Sequence, residues 1–347
     1  MCFFNHGIWS QAHDKEAADL NFELAQKAYL NNNFDEAFAL AEKLNLQASN
    51  IGNRDLEFKS LLLMGEIKAA QKEFNQSIQF LYDAKSIIGL SSLQKAEYHL
   101  SMAAVFNYME VPSLSKDELV RSFQYNPDFY VAGRIGNAYM ELESVDSALI
   151  FFRKQLDMVE DSNSMEFIYA RNNIGYGLLE KELLDSALFY FNISLRTFKR
   201  RKDLSFRDSL AISIIHGNIG MIFLKKGRAE KAINNLKIDF DASLKLKDPN
   251  LLVFVSEGLF DAYGLVNDFE GQKTILKEIG NYQKRLSKEN LIKFRLMELK
   301  YKLNRGDSQN PIPYVVALQL IIDDYIVQEK SKTSQASELL ANYRIQD

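Results

Sequence analysis

The chain has 347 residues, room for two ordinary domains or for one repeat array. With 47% hydrophobic residues and only five prolines it cannot be a disordered chain, and it suits helices. A net charge of −4 argues against a dedicated nucleic-acid binder, and the single cysteine, Cys2, permits no internal disulfide.

Residues 1–15 form an N-terminal segment of their own. Cys2 to Trp9 lean apolar, and "IWSQA" reads as the tail of a secretory signal peptide. The full signature is missing, because no Lys or Arg precedes Phe3 and the apolar run is too short. The other reading is a frayed cap with Phe3, Phe4 and Trp9 folded onto the first helix pair. A truncated signal peptide implies a periplasmic or secreted protein, and a cap implies a cytoplasmic one.

Residues 16–280 read as consecutive helix–turn–helix units. The first turns at Asn31–Asn33, with Asp35 as its cap, and Gln47 to Arg54 is a polar link. The second runs to about Ile88 and is closed by Gly89. The third turns at Pro112 and Ser113, and Pro127 starts the helix that follows. The fourth and fifth turn at "ESVDSA" and "KELLDSA". The sixth turns at Gly227, a left-handed C-cap, and Pro249 opens the seventh.

One pattern makes these units an array. Gly136, Gly175 and Gly220 each follow an isoleucine. Three residues on comes an apolar side chain (Tyr139, Leu178, Phe223), and twelve on an alanine (Ala148, Ala187, Ala232). Sixteen on comes a large apolar residue (Phe152, Phe191, Leu236). A helical glycine costs roughly 1 kcal/mol against alanine, so its recurrence implies close approach of the alanine-bearing second helix. Weaker copies in the same register are anchored at Ala25, Gly65, Ala103 and Phe260.

This arrangement resembles the tetratricopeptide repeat (TPR) family, in its long-helix form. The resemblance implies an all-α superhelix, an α-solenoid of about seven repeats. Anchor-to-anchor steps of 40, 38, 33, 39, 45 and 40 residues exceed the family's period of roughly 34. The surplus is expected to lengthen second helices or links. The family's tryptophan is absent from every copy.

Residues 281–340 read as C-terminal capping helices and 341–347 as a tail. Tyr282 to Leu303 is amphipathic, with seven basic and two acidic residues. It closes the last hydrophobic surface, or it docks an acidic partner. "NRGDSQNPIP" is a loop. "YVVALQLIIDDYIVQ" is too short to span a bilayer and reads as a buried cap or an interface helix, through which copies of the chain would self-associate. From Lys330 the sequence turns polar and shows no further core signal.

No catalytic or cofactor-binding constellation is present. His6, His13, His99 and His216 share no metal spacing, and C-x-x-C, G-x-S-x-G and phosphate-loop motifs are missing. His216, on the seam before Gly220, reads as a structural histidine, and the basic run Lys199 to Lys202 as the solvated end of a second helix. The expectation is a protein that is not an enzyme and needs neither metal nor cofactor.

What the resemblance implies instead is a protein or peptide ligand in the groove lined by first helices. In long-helix relatives an asparagine two residues before the glycine grips an extended ligand. Asn173 and Asn218 hold that offset here, and Arg134 replaces it in repeat four. Tyr130, Asn137, Tyr169, Asn172, Tyr176 and Lys225 are neighbouring inward candidates. Amides suit the task because each carries donor and acceptor without charge. These residues bind ligand, or they cap and bridge successive repeats. Arrays of this look resemble the sensor portions of bacterial regulators, so the expected function is a non-catalytic adaptor or scaffold in signal transduction. The alternative is a DNA-linked regulator acting through the basic Tyr282–Leu303 helix.

Overall fold

A computed structural model describes residues 20–87, 89–201, 204–306 and 312–344. Among them every regular element is helical. In chain order these are α1 (20–30), α2 (Phe34–Asn50), α3 (Arg54–Ala70), α4 (Phe74–Lys85), α5 (Ser92–Tyr108) and α6 (Pro112–Tyr125). There follow α7 (Phe129–Glu141), α8 (Val145–Asp157), α9 (Met165–Glu180), α10 (Leu184–Phe198) and α11 (Phe206–Lys225). The last are α12 (Ala229–Leu246), α13 (Pro249–Leu265), α14 (Phe269–Gly280), a 3-10 turn (Gln283–Arg285), α15 (Lys288–Arg305) and α16 (Ile312–Arg344).

Helices α1 to α14 pair off in the seven-repeat register. In every pair the turn holds one residue in the left-handed region at the same offset: Asn32, Lys72, Glu110, Glu143, Glu182, Gly227 and Asn267, with φ from 56 to 68. The next residue's N–H then reaches back to a carbonyl five residues earlier, as from Glu73 to Lys68, Ser144 to Tyr139 and Leu183 to Leu178. This is the Schellman closure of a helix C-terminus. Only Gly227 takes the conformation freely. Elsewhere a side chain bears a cost of roughly 1–2 kcal/mol, which the two capping bonds offset.

The seam lies where the spacing puts it. A Cβ on Gly65 would meet Leu81 Cδ2 at 2.7 Å, one on Gly175 would meet Phe191 Cε1 at 2.6 Å, and one on Gly220 would meet Leu236 Cγ at 2.5 Å. Each partner is the large residue sixteen on. The positions twelve on are buried in all seven repeats, as Ala37, Ser77, Ser115, Ala148, Ala187, Ala232 and Gln272. Gln272 donates from Nε2 to the carbonyl of its own anchor, Phe260, at 3.0 Å.

Several local expectations differ from the structure. Asp35 does not cap α2; Asn33 holds that position without a side-chain bond, and Asp35 lies in the first turn. Helix α2 runs to Asn50 and shortens the Gln47–Arg54 link. Pro127 precedes the helix, whose cap is Asp128, with Oδ1 accepting from Tyr130 N–H and Val131 N–H. The surplus of the longest repeat goes into the link before Ser205 and the front of the 20-residue α11, while its second helix has 15 residues. The signal-peptide or cap reading of residues 1–15 lies outside the described residues.

The chain divides into two compact units. One contains α1 to α7 together with α16 from Lys332; the other contains α8 to α15 and α16 up to Ser331. The division falls inside repeat four. In the first unit Phe58, Phe106, Ile78 and Leu81 are fully buried, and Ala336 joins that core. The polar stretch after Lys330 therefore continues as helix, anchored by one small buried residue and by a Lys332–Glu110 ion pair. In the second unit Phe260, Leu259 and Ile275 form the core. Helix α15 lays Phe294 and Met297 on it, while its cations pair with carboxylates, Lys300 with Asp261 and Lys293 with Glu257 and Glu289. Such solvent-accessible pairs are each worth roughly 0–1 kcal/mol, but they occupy part of the basic face. Helix α15 caps the last repeat. No helix among the described residues is long and apolar enough to cross a membrane.

Asp239 is buried in the repeat-six seam, where Ser213 Oγ donates to Oδ1 at 3.2 Å. Burial pushes its carboxyl above the ordinary range, and the Ser213 bond and nearby His216 only partly oppose this. The folded state thus holds the proton to higher pH than the unfolded chain. Its contribution to stability is full below the ordinary aspartate value and is lost as pH rises through the folded one. Asp239→Asn keeps the shape without the charge. It should melt higher than the parent at pH 7.5, with the difference vanishing toward pH 4 in a calorimetric series.

Candidate functional site

First helices present one face through positions two before, one after and five after the anchor, a spacing of three and four that aligns side chains along a helix. In the first unit this face carries Glu66 on α3, Ser101 on α5, and Arg134, Asn137 and Glu141 on α7. Ser101 Oγ donates to Glu66 Oε1 at 2.5 Å. Burial raises the Glu66 carboxyl, against the pull of Ser101 and of Arg134. Burial likewise lowers the Arg134 guanidinium, with Glu66 restoring part of the charge. A carboxyl and a guanidinium are thus held partly desolvated two repeats apart, on α3 and α7.

Arg134 and Asn137 line one cavity of about 170 Å³ with Asn107 and Glu141. Tyr130 stands apart, 59% exposed in the first turn of α7 and edge-on to Phe129 at 5.1 Å.

In the second unit Asn218 Nδ2 on α11 donates to Asn172 Oδ1 on α9 at 3.1 Å. Two neutral amides from successive first helices therefore meet, Asn218 from two before its anchor and Asn172 from three before. Asn173 turns elsewhere: its Nδ2 donates at 3.0 Å to Oε1 of the buried Gln155 on α8, the second helix of the preceding repeat. Tyr169 is exposed on α9. Tyr176 is half-buried, its hydroxyl pushed up by burial and then by Glu180. Lys225, at the end of α11, reaches Glu182 in the neighbouring turn at 3.4 Å. The structure thus joins Asn172 to Asn218, sets Arg134 and Asn137 on one cavity, and gives Asn173 a separate partner.

Glu66 and Ser101 were not legible as site residues, although Ser101 holds the same offset from Ala103 that Asn173 holds from Gly175. A search for asparagine passes over it; the offset alone finds it. His216 is a satisfied structural residue, with Nδ1 2.9 Å from Asn235 Oδ1. Arg201, in the basic run, donates to the Asn163 carbonyl at 3.2 Å and lies 3.8 Å from Asp208. Among the described residues no group of three or more His, Cys, Asp or Glu is arranged to hold a metal ion.

Solved structures share this fold over nearly the whole chain. The Rap protein complexed with competence and sporulation factor superposes with a TM-score of 0.59 at 14% identity, covering 95% of this chain and 96% of that one. The fold is a tetratricopeptide-type helical solenoid. The apo quorum sensor NprR from B. thuringiensis superposes at 0.61 with 15% identity, over 95% and 98% of the two chains. Aspartyl phosphate phosphatase F from Bacillus subtilis reaches 0.57 at 17%, over 82% and 75%. Identities this low speak to fold alone. No protein-family model and no curated protein matches the sequence.

Proposed function

We propose that the chain is a non-catalytic, peptide-binding adaptor of the regulatory-sensor kind, holding an extended segment along its first-helix face. The observation that carries this reading is the Asn172–Asn218 pair. Two half-buried amides from successive repeats sit side by side, each with further donors and acceptors suited to a peptide unit. The similar solenoids add support, since one is complexed with competence and sporulation factor and another is a quorum sensor. The DNA-linked alternative loses ground because Lys293, Arg295 and Lys300 of α15 are engaged by carboxylates of the chain itself.

The test is a screen of short linear peptides against the whole chain, followed by titration of the binders. Each neutral hydrogen bond contributes roughly 0.5–1.5 kcal/mol, so Asn172→Ala with Asn218→Ala should weaken binding about ten- to a hundredfold at nearly unchanged melting temperature. Asn173→Ala should behave differently. It leaves the buried Gln155 oxygen without its donor and should cost about 1–3 kcal/mol of stability. Unaltered affinity in the double variant, or no peptide bound by the parent, refutes the reading.

Self-association belongs to the same proposal. Ile312, Val316, Leu320 and Val327 are exposed at helical spacing along α16. Light scattering over a concentration series should show a dimer that Leu320→Glu with Val327→Glu disperses; a parent that stays monomeric refutes it.

A further inference from the structure

A second site lies in the first unit, away from the first-helix face. The cavity measures about 490 Å³ and is lined from α4, α5, α6 and the turn after α4. Its α5 residues, Lys95, Tyr98, His99 and Met102, precede the Ala103 anchor by eight, five, four and one positions. None falls on the positions that carry Ser101 toward Glu66. The cavity is therefore independent of the proposed peptide face.

Its chemistry is specific. Three cations line it (Lys85, Lys95 and Arg121) against one carboxylate, Glu118. That carboxylate is already engaged at both oxygens: Arg121 Nη1 reaches Oε1 at 2.7 Å and His99 Nδ1 reaches Oε2 at 2.6 Å. Only 10% of the Glu118 side chain is exposed, so the His99–Glu118 pair forms a fixed polar floor. The His99 ring stacks on Tyr125 at 5.6 Å and 7°. Lys95 Nζ lies 5.6 Å from the centre of the Tyr125 ring, and Lys85 Nζ lies 5.3 Å from that of Tyr82. The wall is completed by apolar Ile87, Leu90 and Met102.

We infer that this cavity binds a small aromatic anion: a planar ring system bearing a carboxylate, sulfonate or phosphate group. A volume in the range of small-molecule pockets fits a ligand of one or two fused rings plus a substituent. The apolar wall of Ile87, Leu90 and Met102 receives the rings, while the net positive lining draws and orients the anionic group. A neutral aromatic gains only the first of these, and a simple inorganic anion only the second. The selectivity is for both in one molecule.

The experiment uses the full chain and two fluorescent probes of nearly equal shape, 1-anilinonaphthalene-8-sulfonate and the uncharged N-phenyl-1-naphthylamine. The sulfonate should bind saturably at one site per chain, at least tenfold more tightly than the neutral probe, and more weakly as salt rises. Lys85→Glu with Lys95→Glu should reduce its affinity at least tenfold, without changing the circular-dichroism melt. The single Lys95→Gln, gentler on the fold, should reduce it measurably. Asn172→Ala with Asn218→Ala should leave probe binding unchanged, so failure here and failure of the peptide reading are separate results. Equal affinity for both probes, several equivalent sites, no binding at all, or full retention in the lysine variants overturns the inference.

Discussion

Ala187→Asp should destabilise the protein by about 3–5 kcal/mol, while its neighbour Ser186→Asp should cost almost nothing. Ala187 is fully buried at the position where α10 meets α9, so a carboxylate there is cut off from water. Ser186 is exposed in the first turn of α10, where the helix dipole favours a negative charge by a few tenths of a kcal/mol. The two sites are adjacent in sequence and each gains one negative charge, so net charge cancels in the comparison, and the helix-propensity difference between Ala and Ser, under about 1 kcal/mol, leaves burial to decide. In a repeat array each unit is held by its neighbours, so the loss should spread to the adjoining repeats and appear as a lowered global transition in urea. Equal midpoints for the two variants would place repeat five in another register.

The seven-repeat register was legible because it rests on residue size. In repeats two to six a small residue at the anchor, a small one twelve on and a large one sixteen on constrain packing whatever lies around them, and Gly175, Ala187 and Phe191 meet accordingly. The left-handed turn residues were legible only at Gly227. The same geometry falls on Lys72, Glu110, Glu143 and Glu182, where backbone hydrogen bonding imposes a conformation that the residue type does not announce. The far end of α16 was invisible for the opposite reason. Its anchor, Ala336, buries too little surface to stand out in a polar stretch.

The candidate site was legible as a face and not as a set of contacts. The offset two before the anchor finds Arg134, Asn173 and Asn218 in sequence, but it says nothing of which neighbour each side chain meets. A rotation of one position along α9 separates Asn172, which meets Asn218, from Asn173, which meets Gln155. Glu66 and Ser101 were hidden because their importance comes from each other and from Arg134, which lie far apart in sequence.

The glycine itself can be tested by a double-mutant cycle, in which a single methyl should change sign. Phe191 is fully buried, and its ring atoms Cε1, Cδ1 and Cζ lie 2.6, 2.9 and 3.0 Å from where a Gly175 Cβ would stand. Gly175→Ala therefore forces the ring against its surroundings, an overpacking worth about 1–3 kcal/mol. That outweighs the roughly 1 kcal/mol by which alanine favours a helix over glycine. Phe191→Ala removes the ring and should cost about 3–5 kcal/mol through lost burial and the cavity left behind. In that background the obstacle to the methyl is gone and its helix preference is not. Adding Gly175→Ala should then recover about 1 kcal/mol, so the double variant is more stable than Phe191→Ala alone. The coupling, read from denaturant midpoints, should lie within the roughly 0.5–3 kcal/mol of directly touching residues. Strictly additive costs would mean that the glycine at 175 is not there to admit the Phe191 ring.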